Sequence, residues 1–262
     1  MSNFLFLSLT TAGSVYHSTA RIAKNNGLSG LRPPPYRREP RYRVSVVAPA
    51  YNEQRYIGGL LRSARNQTEV VAEVIVADSS PPGDDTAAIC RTWGATVVPA
   101  PAGNIALARN LGAAEATGDI LVFADADVIL GNQFVERAVD ALEAGAALAH
   151  PREAIYDSDF WNLVLWLPQV FRPAWNTTRC VVVPRRVFDV VGEYDPDCNP
   201  ITDYCREDLD FGRRVAAVYG KASIKVLPAL IATSARRYKK YRMGGWENFA
   251  DPVRAYAVRR VT

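Results

Sequence analysis

Between Val44 and Ala124 the chain alternates short apolar runs with longer amphipathic segments, and this alternation restricts the fold more than any other feature. Val44–Ala48, Glu73–Ala77, Ala95–Val98 and Asp119–Ala124 read as strands, too short and too rich in β-branched residues for helices. Between them, Ile57, Leu60, Leu61 and Ala64 recur at helical spacing to Arg65. Thr86–Trp93 has Asp85 as a helix cap and Gly94 as a stop, and residues 104–117 form a third helix ended by Gly118. Strand–helix alternation of this kind predicts an α/β fold, a mostly parallel sheet with helices on both faces. Ligands of such sheets bind beyond the carboxyl ends of the strands. Asn52, Asp78 and Asp125 each follow a strand.

The second half is less regular. Phe160–Leu167 is an aromatic-rich stretch of helical or interfacial character, and Cys180–Val183 is a strand. Pro184–Val191 reads as a short helix stopped by Gly192, Glu207–Tyr219 as a helix closed by Gly220, and Ser223–Leu227 as a last strand. Residues 1–42 carry Asn25–Gly30 and Pro33–Pro35 among arginines and are expected to be an appendage, flexible or membrane-associating. The body is assigned to 43–235 and a basic segment to 236–262. Phe4–Leu9 lacks the positive flank of a signal peptide and is expected to be a short membrane-resting helix or a disordered leader.

With 48% hydrophobic and 22% charged residues, the composition excludes disorder or a coiled coil for the bulk of the chain. No apolar run approaches the roughly 18 residues of a membrane span, which excludes a multi-pass membrane protein. The net charge of +4 is unevenly spread: residues 32–43 carry five Arg and one Glu, and 236–262 carry eight Lys/Arg and two acids. An acidic body with basic ends is no nucleic-acid groove, so no nucleic-acid partner is expected. The ends suit an anionic membrane surface, or they are solvated tails. Four cysteines without a C-x-x-C pair and two histidines argue against a zinc site and suit a reducing compartment with free thiols. A cytoplasmic protein, peripheral on the membrane face, is the corresponding expectation.

Asp125-Ala-Asp127 carries the sharpest chemistry. Two carboxylates two residues apart on an extended segment point the same way and can face one hard cation, Mg2+ or Mn2+, whose remaining ligands come from substrate phosphates. Two solvated loop acids are the plainer reading. Pro49-Ala-Tyr51-Asn52-Glu53 after the first strand can present polar groups to a nucleobase or ribose, and Asp78 can accept from a base or sugar hydroxyl. The missing glycine-rich phosphate loop argues against dinucleotides and P-loop chemistry. Arg109 is either a diphosphate clamp or an ordinary surface arginine. Glu207, Asp208 and Asp210 open a helix, where acids are favoured by the dipole; if that helix start faces Asp125 and Asp127, one carboxylate can act as a general base.

In this order, Val47–Glu53, Val76–Asp78, Ala108–Asn110, Ala116–Asp119, Phe123–Asp127, Gly192–Asp195 and Glu207–Asp208 resemble glycosyltransferase family 2 over about residues 43–235. The resemblance implies a GT-A fold, a Rossmann-like sheet, with a UDP- or GDP-sugar donor, a divalent metal (Mn2+ or Mg2+) and inversion at the anomeric carbon. It places Asn52, Glu53 and Asp78 in the nucleotide site, Asp125 and Asp127 at the metal and donor phosphates, and Asp208 as the base with Glu207 beside it; the residue reading adds Pro49, Tyr51 and Arg109 to the nucleotide-sugar candidates. The Gln-x-x-Arg-Trp pattern of processive relatives is missing; Thr233-Ser-Ala-Arg236-Arg237 stands in its region, where the two arginines can meet a phosphate. Transfer of one sugar to a hydroxyl or phosphate acceptor, a glycan or a polyprenyl-phosphate-type lipid, is therefore expected. A sugar nucleotidyltransferase and an inert sugar-nucleotide- or membrane-binding module are the alternatives.

Overall fold

The computed structural model describes residues 30–157, 179–198 and 206–236. Phe4–Leu9, Phe160–Leu167, Arg237 and the basic segment beyond Arg236 lie outside the described residues. The four apolar runs form β1 (Val44–Ala50), β2 (Glu73–Asp78), β3 (Thr96–Pro99) and β4 (Ile120–Ala124), separated by α1 (Ile57–Arg65), α2 (Thr86–Thr92) and α3 (Ile105–Glu115). Then come β5 (Ile129–Leu130), α4 (Phe134–Glu143), β6 (Leu148–Ile155), β7 (Cys180–Pro184), α5 (Arg185–Val191), α6 (Glu207–Tyr219) and β8 (Ile224–Thr233). The sheet order is β3-β2-β1-β4-β7-β6-β8-β5. β1, β2, β3 and β4 run parallel, as does the β6–β8 pair, whereas β7 is antiparallel to both β4 and β6.

Alternate residues of the central strands feed two cores. Val46, Ala48, Ile120 and Val122 pack with α1 and α4 through Leu60, Leu61, Phe134 and Val139. Val47, Leu121 and Phe123 face the other way, onto α3, α5 and α6 through Ala113, Phe188 and Phe211. A period of two on a doubly covered sheet requires this division. Gly112 lets α3 lie close on β1, since a Cβ there would collide with the Val47 side chain. Arg109 projects from the same helix.

Several local expectations are corrected. Asp85 makes no side-chain cap on α2; Asp84 accepts from the Thr86 amide at 2.9 Å instead. β8 extends to Thr233 through Pro228, which stands where the β6–β8 register is interrupted and no ladder hydrogen bond is lost. Cys198 is disulfide-bonded, so the thiols are not all free, while Cys90 and Cys180 are buried thiols. Residues 30–42 rest on the body where Arg38 bridges to Glu69, the Tyr36 hydroxyl donates to Glu136, and Arg41 pairs with Glu69 at 2.7 Å. Among the described residues no helix is long and apolar enough to cross a membrane.

His150 on β6 is buried, and its Nε2 has no hydrogen-bond partner among the described residues. Burial pushes its pKa below the ordinary value. The unfolded chain therefore takes up a proton near pH 6.5 while the folded chain does not, so stability is lost as pH falls below about 6.5. Replacing His150 with Gln is expected to flatten that loss by up to about 1.4 kcal/mol per pH unit. Denaturant melts between neutral and mildly acidic pH check it, and parallel pH slopes for the two proteins would refute it.

Candidate functional site

At the carboxyl ends of β1, β2 and β4 lies a cavity of about 740 Å³. Pro49, Tyr51, Glu53, Asn104, Ile105, Asp125 and Arg236 are among its lining. The chain leaves β1 through a tight turn in which Asn52 takes a left-handed φ of 57° and its amide donates to Ser80. Asparagine tolerates that conformation better than most side chains. The carbonyl of Glu53 accepts from the amides of Tyr56 and Ile57, so the turn itself starts α1. Tyr51 is exposed at the rim, and Asp78 is held by the Ser80 amide and hydroxyl at the end of β2. Asn52 and Asp78 thus stand beside the cavity, and Ser79 between the two loops lines it.

Asp125 and Asp127 follow directly on β4, and both are buried. Each meets an arginine. Arg109 donates to Asp125 Oδ1 at 3.1 Å and, with its other terminal nitrogen, to Glu207 Oε1. It is therefore neither a surface arginine nor a lining residue of the cavity; it is a buried cation between the β4 carboxylate and the start of α6. Burial alone would lower its pKa, but the surrounding Glu207, Tyr194, Asp125 and Asp208 hold it above the ordinary value. Its guanidinium lies over the Tyr194 ring at 5.2 Å, and that ring stacks on Phe211 of α6 at 4.7 Å. Asn110, next on α3, fixes the Tyr194 backbone through both its amide groups, at 2.7 and 3.0 Å. Ordinary helix and sheet packing thus turns the α6 start toward Asp125.

Glu207 and Asp208 occupy the first turn of α6. Burial pushes the Glu207 carboxyl above the usual carboxylate range, against the opposing pull of Arg109. Asp208 accepts from Arg206 at 3.0 Å and from the Leu209 amide at 2.8 Å.

Asp127 has two partners among the described residues. The Thr233 hydroxyl donates to Oδ1 at 3.2 Å, and Arg236 Nε donates to Oδ2 at 3.1 Å. Arg236 also reaches Glu53 and lies over the Tyr56 ring at 4.4 Å. Sequence reasoning missed what stands behind Thr233: Arg179 donates to its hydroxyl at 3.1 Å and pairs with Glu153 on β6. Burial raises the Glu153 carboxyl, and Arg179 opposes the rise. No local pattern marks these groups; they meet because β6, β7 and β8 are neighbours.

The chain matches the family model described as glycosyl transferase family 2 over residues 45–182, more than half its length. The chain belongs to glycosyl transferase family 2. A curated relative, 4,4'-diaponeurosporenoate glycosyltransferase of Staphylococcus haemolyticus, is 36% identical over 103 residues, which are 37% of this chain and 27% of the relative. The chain thus spans only about a quarter of that relative. Solved structures share the fold. The glucosyl-3-phosphoglycerate synthase of Mycobacterium tuberculosis, in complex with Mn2+, UDP and glucosyl-3-phosphoglycerate, has a TM-score of 0.52 at 23% identity, covering 74% of this chain and 71% of that one. S. aureus TarS 1–349 in complex with UDP has a TM-score of 0.53 at 17% identity, covering 73% and 58%. The sheet is accordingly of the GT-A kind, with the cavity at its strand ends.

Proposed function

We propose that this chain transfers a single sugar from a nucleotide-sugar donor to an acceptor, with inversion at the anomeric carbon. The observation that carries the reading is that Asp125, which lines the cavity, is joined through Arg109 to Glu207 at the start of α6, next to Asp208. Pro49, Tyr51, Asn52, Glu53 and Asp78 belong to the nucleotide side of that cavity. UDP is the first donor base to test, since it is bound in both solved structures named above.

A divalent ion fits the chemistry of this pair. Asp125 and Asp127 are buried carboxylates two residues apart, and among the described residues no group of three or more His, Cys, Asp and Glu stands ready to hold a metal. Such a pair suits Mn2+ or Mg2+, whose remaining ligands are donor phosphates and water. The ion would stabilise negative charge on the departing diphosphate. Asp208 takes the proton of the acceptor hydroxyl as its oxygen attacks the anomeric carbon, and the bond from that carbon to the diphosphate oxygen breaks on the opposite face. Arg236 faces the cavity and can meet a phosphate. The acceptor is a hydroxyl or phosphate, and a polyprenyl-phosphate-type lipid or lipid-linked glycan suits the basic segments at 32–43 and 236–262.

Incubation with UDP- and GDP-sugars plus Mn2+, following release of the nucleoside diphosphate, tests the reading. Excess chelator is expected to abolish release, and Asp127→Ala to lower it by at least about 10²-fold. Full activity in chelator would remove the metal from the reading, and no release from any donor would remove the transfer itself.

A further inference from the structure

Arg236 lines the cavity from the end of the turn that follows β8. The turn after β8 is clamped by Asp157, which accepts from the Ser234 hydroxyl at 2.8 Å and from the Ala235 amide at 2.7 Å. From that fixed point the guanidinium runs over Tyr56 to Asp127 Oδ2 and Glu53. Asp127 is fully buried at its carboxylate, whereas the Arg236 side chain retains 26% of its exposure. A buried carboxylate needs a counter-charge, and with Arg109 committed to Asp125 and Glu207, Arg236 supplies it here.

We propose that Arg236 is a tethered counter-cation that a divalent ion must displace from Asp127, and that the donor diphosphate is where the displaced guanidinium goes. The inference rests on the cavity being a nucleotide-sugar site. A dication and a guanidinium on the same carboxylate oxygens repel strongly in a partly buried site, so the two exchange and do not share. The planar guanidinium fork matches phosphate oxygens as well as it matches carboxylates, so arrival of a diphosphate gives it a new partner a short swing away. Only the side chain need move, because Asp157 keeps the turn in place. Metal alone must break the Arg236 pairs without compensation, whereas metal with a nucleoside diphosphate does not. Arg236 thereby couples the two ligands: Mn2+ binds weakly until the diphosphate is present.

Titration of the full chain with Mn2+ alone, read from the electron paramagnetic resonance signal of the free ion, tests this without any transfer reaction. Arg236→Gln is expected to bind Mn2+ at least about tenfold more tightly than the parent, and to bind UDP in the presence of Mn2+ more weakly. Arg236→Lys keeps the charge and is expected to hold Mn2+ near the parent's affinity. Tyr56→Leu removes the ring under the guanidinium and is expected to shift Mn2+ affinity in the same direction as Arg236→Gln by a smaller factor, so the test survives misfolding of the first variant. Equal or weaker Mn2+ binding by both Arg236→Gln and Tyr56→Leu overturns the proposal, as does failure of every protein to bind Mn2+. Failure of the donor reading has a different signature, namely no UDP binding with Mn2+ in the parent as well.

Discussion

Asp208→Asn is expected to lower kcat by at least about 10²-fold while leaving UDP affinity nearly unchanged. The amide is almost isosteric with the carboxylate and keeps an oxygen to accept from the Leu209 amide, so the first turn of α6 survives the change. What disappears is the lone-pair basicity that an attacking hydroxyl requires. Glu207 is the worse candidate for that role, because its Oε1 is engaged by Arg109. Taking a proton there would neutralise one arm of a buried ion pair at each turnover. Glu207 is better understood as the residue that positions Arg109, and through it Asp125. Its replacement by Gln should disturb donor binding and kcat together, unlike the pure kcat effect at Asp208. Normal transfer by Asp208→Asn alongside a dead Glu207→Gln would move the base one residue back.

The parallel half of the sheet, β1 to β4, is legible in the sequence because its signals are local. The bounds of α1 and α6, Ile57–Arg65 and Glu207–Tyr219, follow from local signals: apolar residues at helical spacing in α1, and in α6 the acids of its first turn and Gly220 directly after it. The stretch from Val128 to Asp157 holds β5, α4 and β6. Within it Phe134, Val135, Ala138 and Val139 follow helical spacing and were readable. β6 was not, since Pro151, Arg152 and Glu153 interrupt it and its register with β8 shifts at that point. The antiparallel placement of β7 beside β4 was likewise invisible, because pairing direction is a property of the whole sheet. The candidate site divides in the same way. Asp125, Asp127 and Asp208 stood out by their positions at element ends. Their cations did not, for Arg109 meets Glu207 across 98 residues and Arg236 meets Glu53 across 183. Charge pairing over such separations follows from topology, which no window of sequence contains.

Arg109→Met is expected to be the most damaging single change to stability at this site. Methionine fills much of the stem volume of Arg109 and retains contact with Tyr194, so the loss is chiefly of charge and of two ion pairs. Arg109 is 6% exposed, and Asp125 and Glu207 are comparably buried. Removing the one partner that joins them leaves carboxylates facing each other in a poorly solvated place, at a cost of about 3–5 kcal/mol. For a chain of this size that corresponds to a fall in Tm of about 10 °C. The sign of the pH dependence identifies the cause. Burial already raises the Glu207 carboxyl, and without Arg109 the rise is larger, so the folded variant binds protons more readily than its unfolded chain. Its deficit should therefore shrink as pH falls from neutral toward the carboxylate range, whereas a simple packing defect would keep the same size. Arg109→Lys keeps the charge but cannot span Asp125 and Glu207 at once, and should melt between the parent and Arg109→Met. Thermal melts of the three proteins at neutral and mildly acidic pH decide the matter. A neutral-pH melting point for Arg109→Met within about 2 °C of the parent, equivalent to less than about 1 kcal/mol, would mean that the bridge does not hold β4 and α6 together.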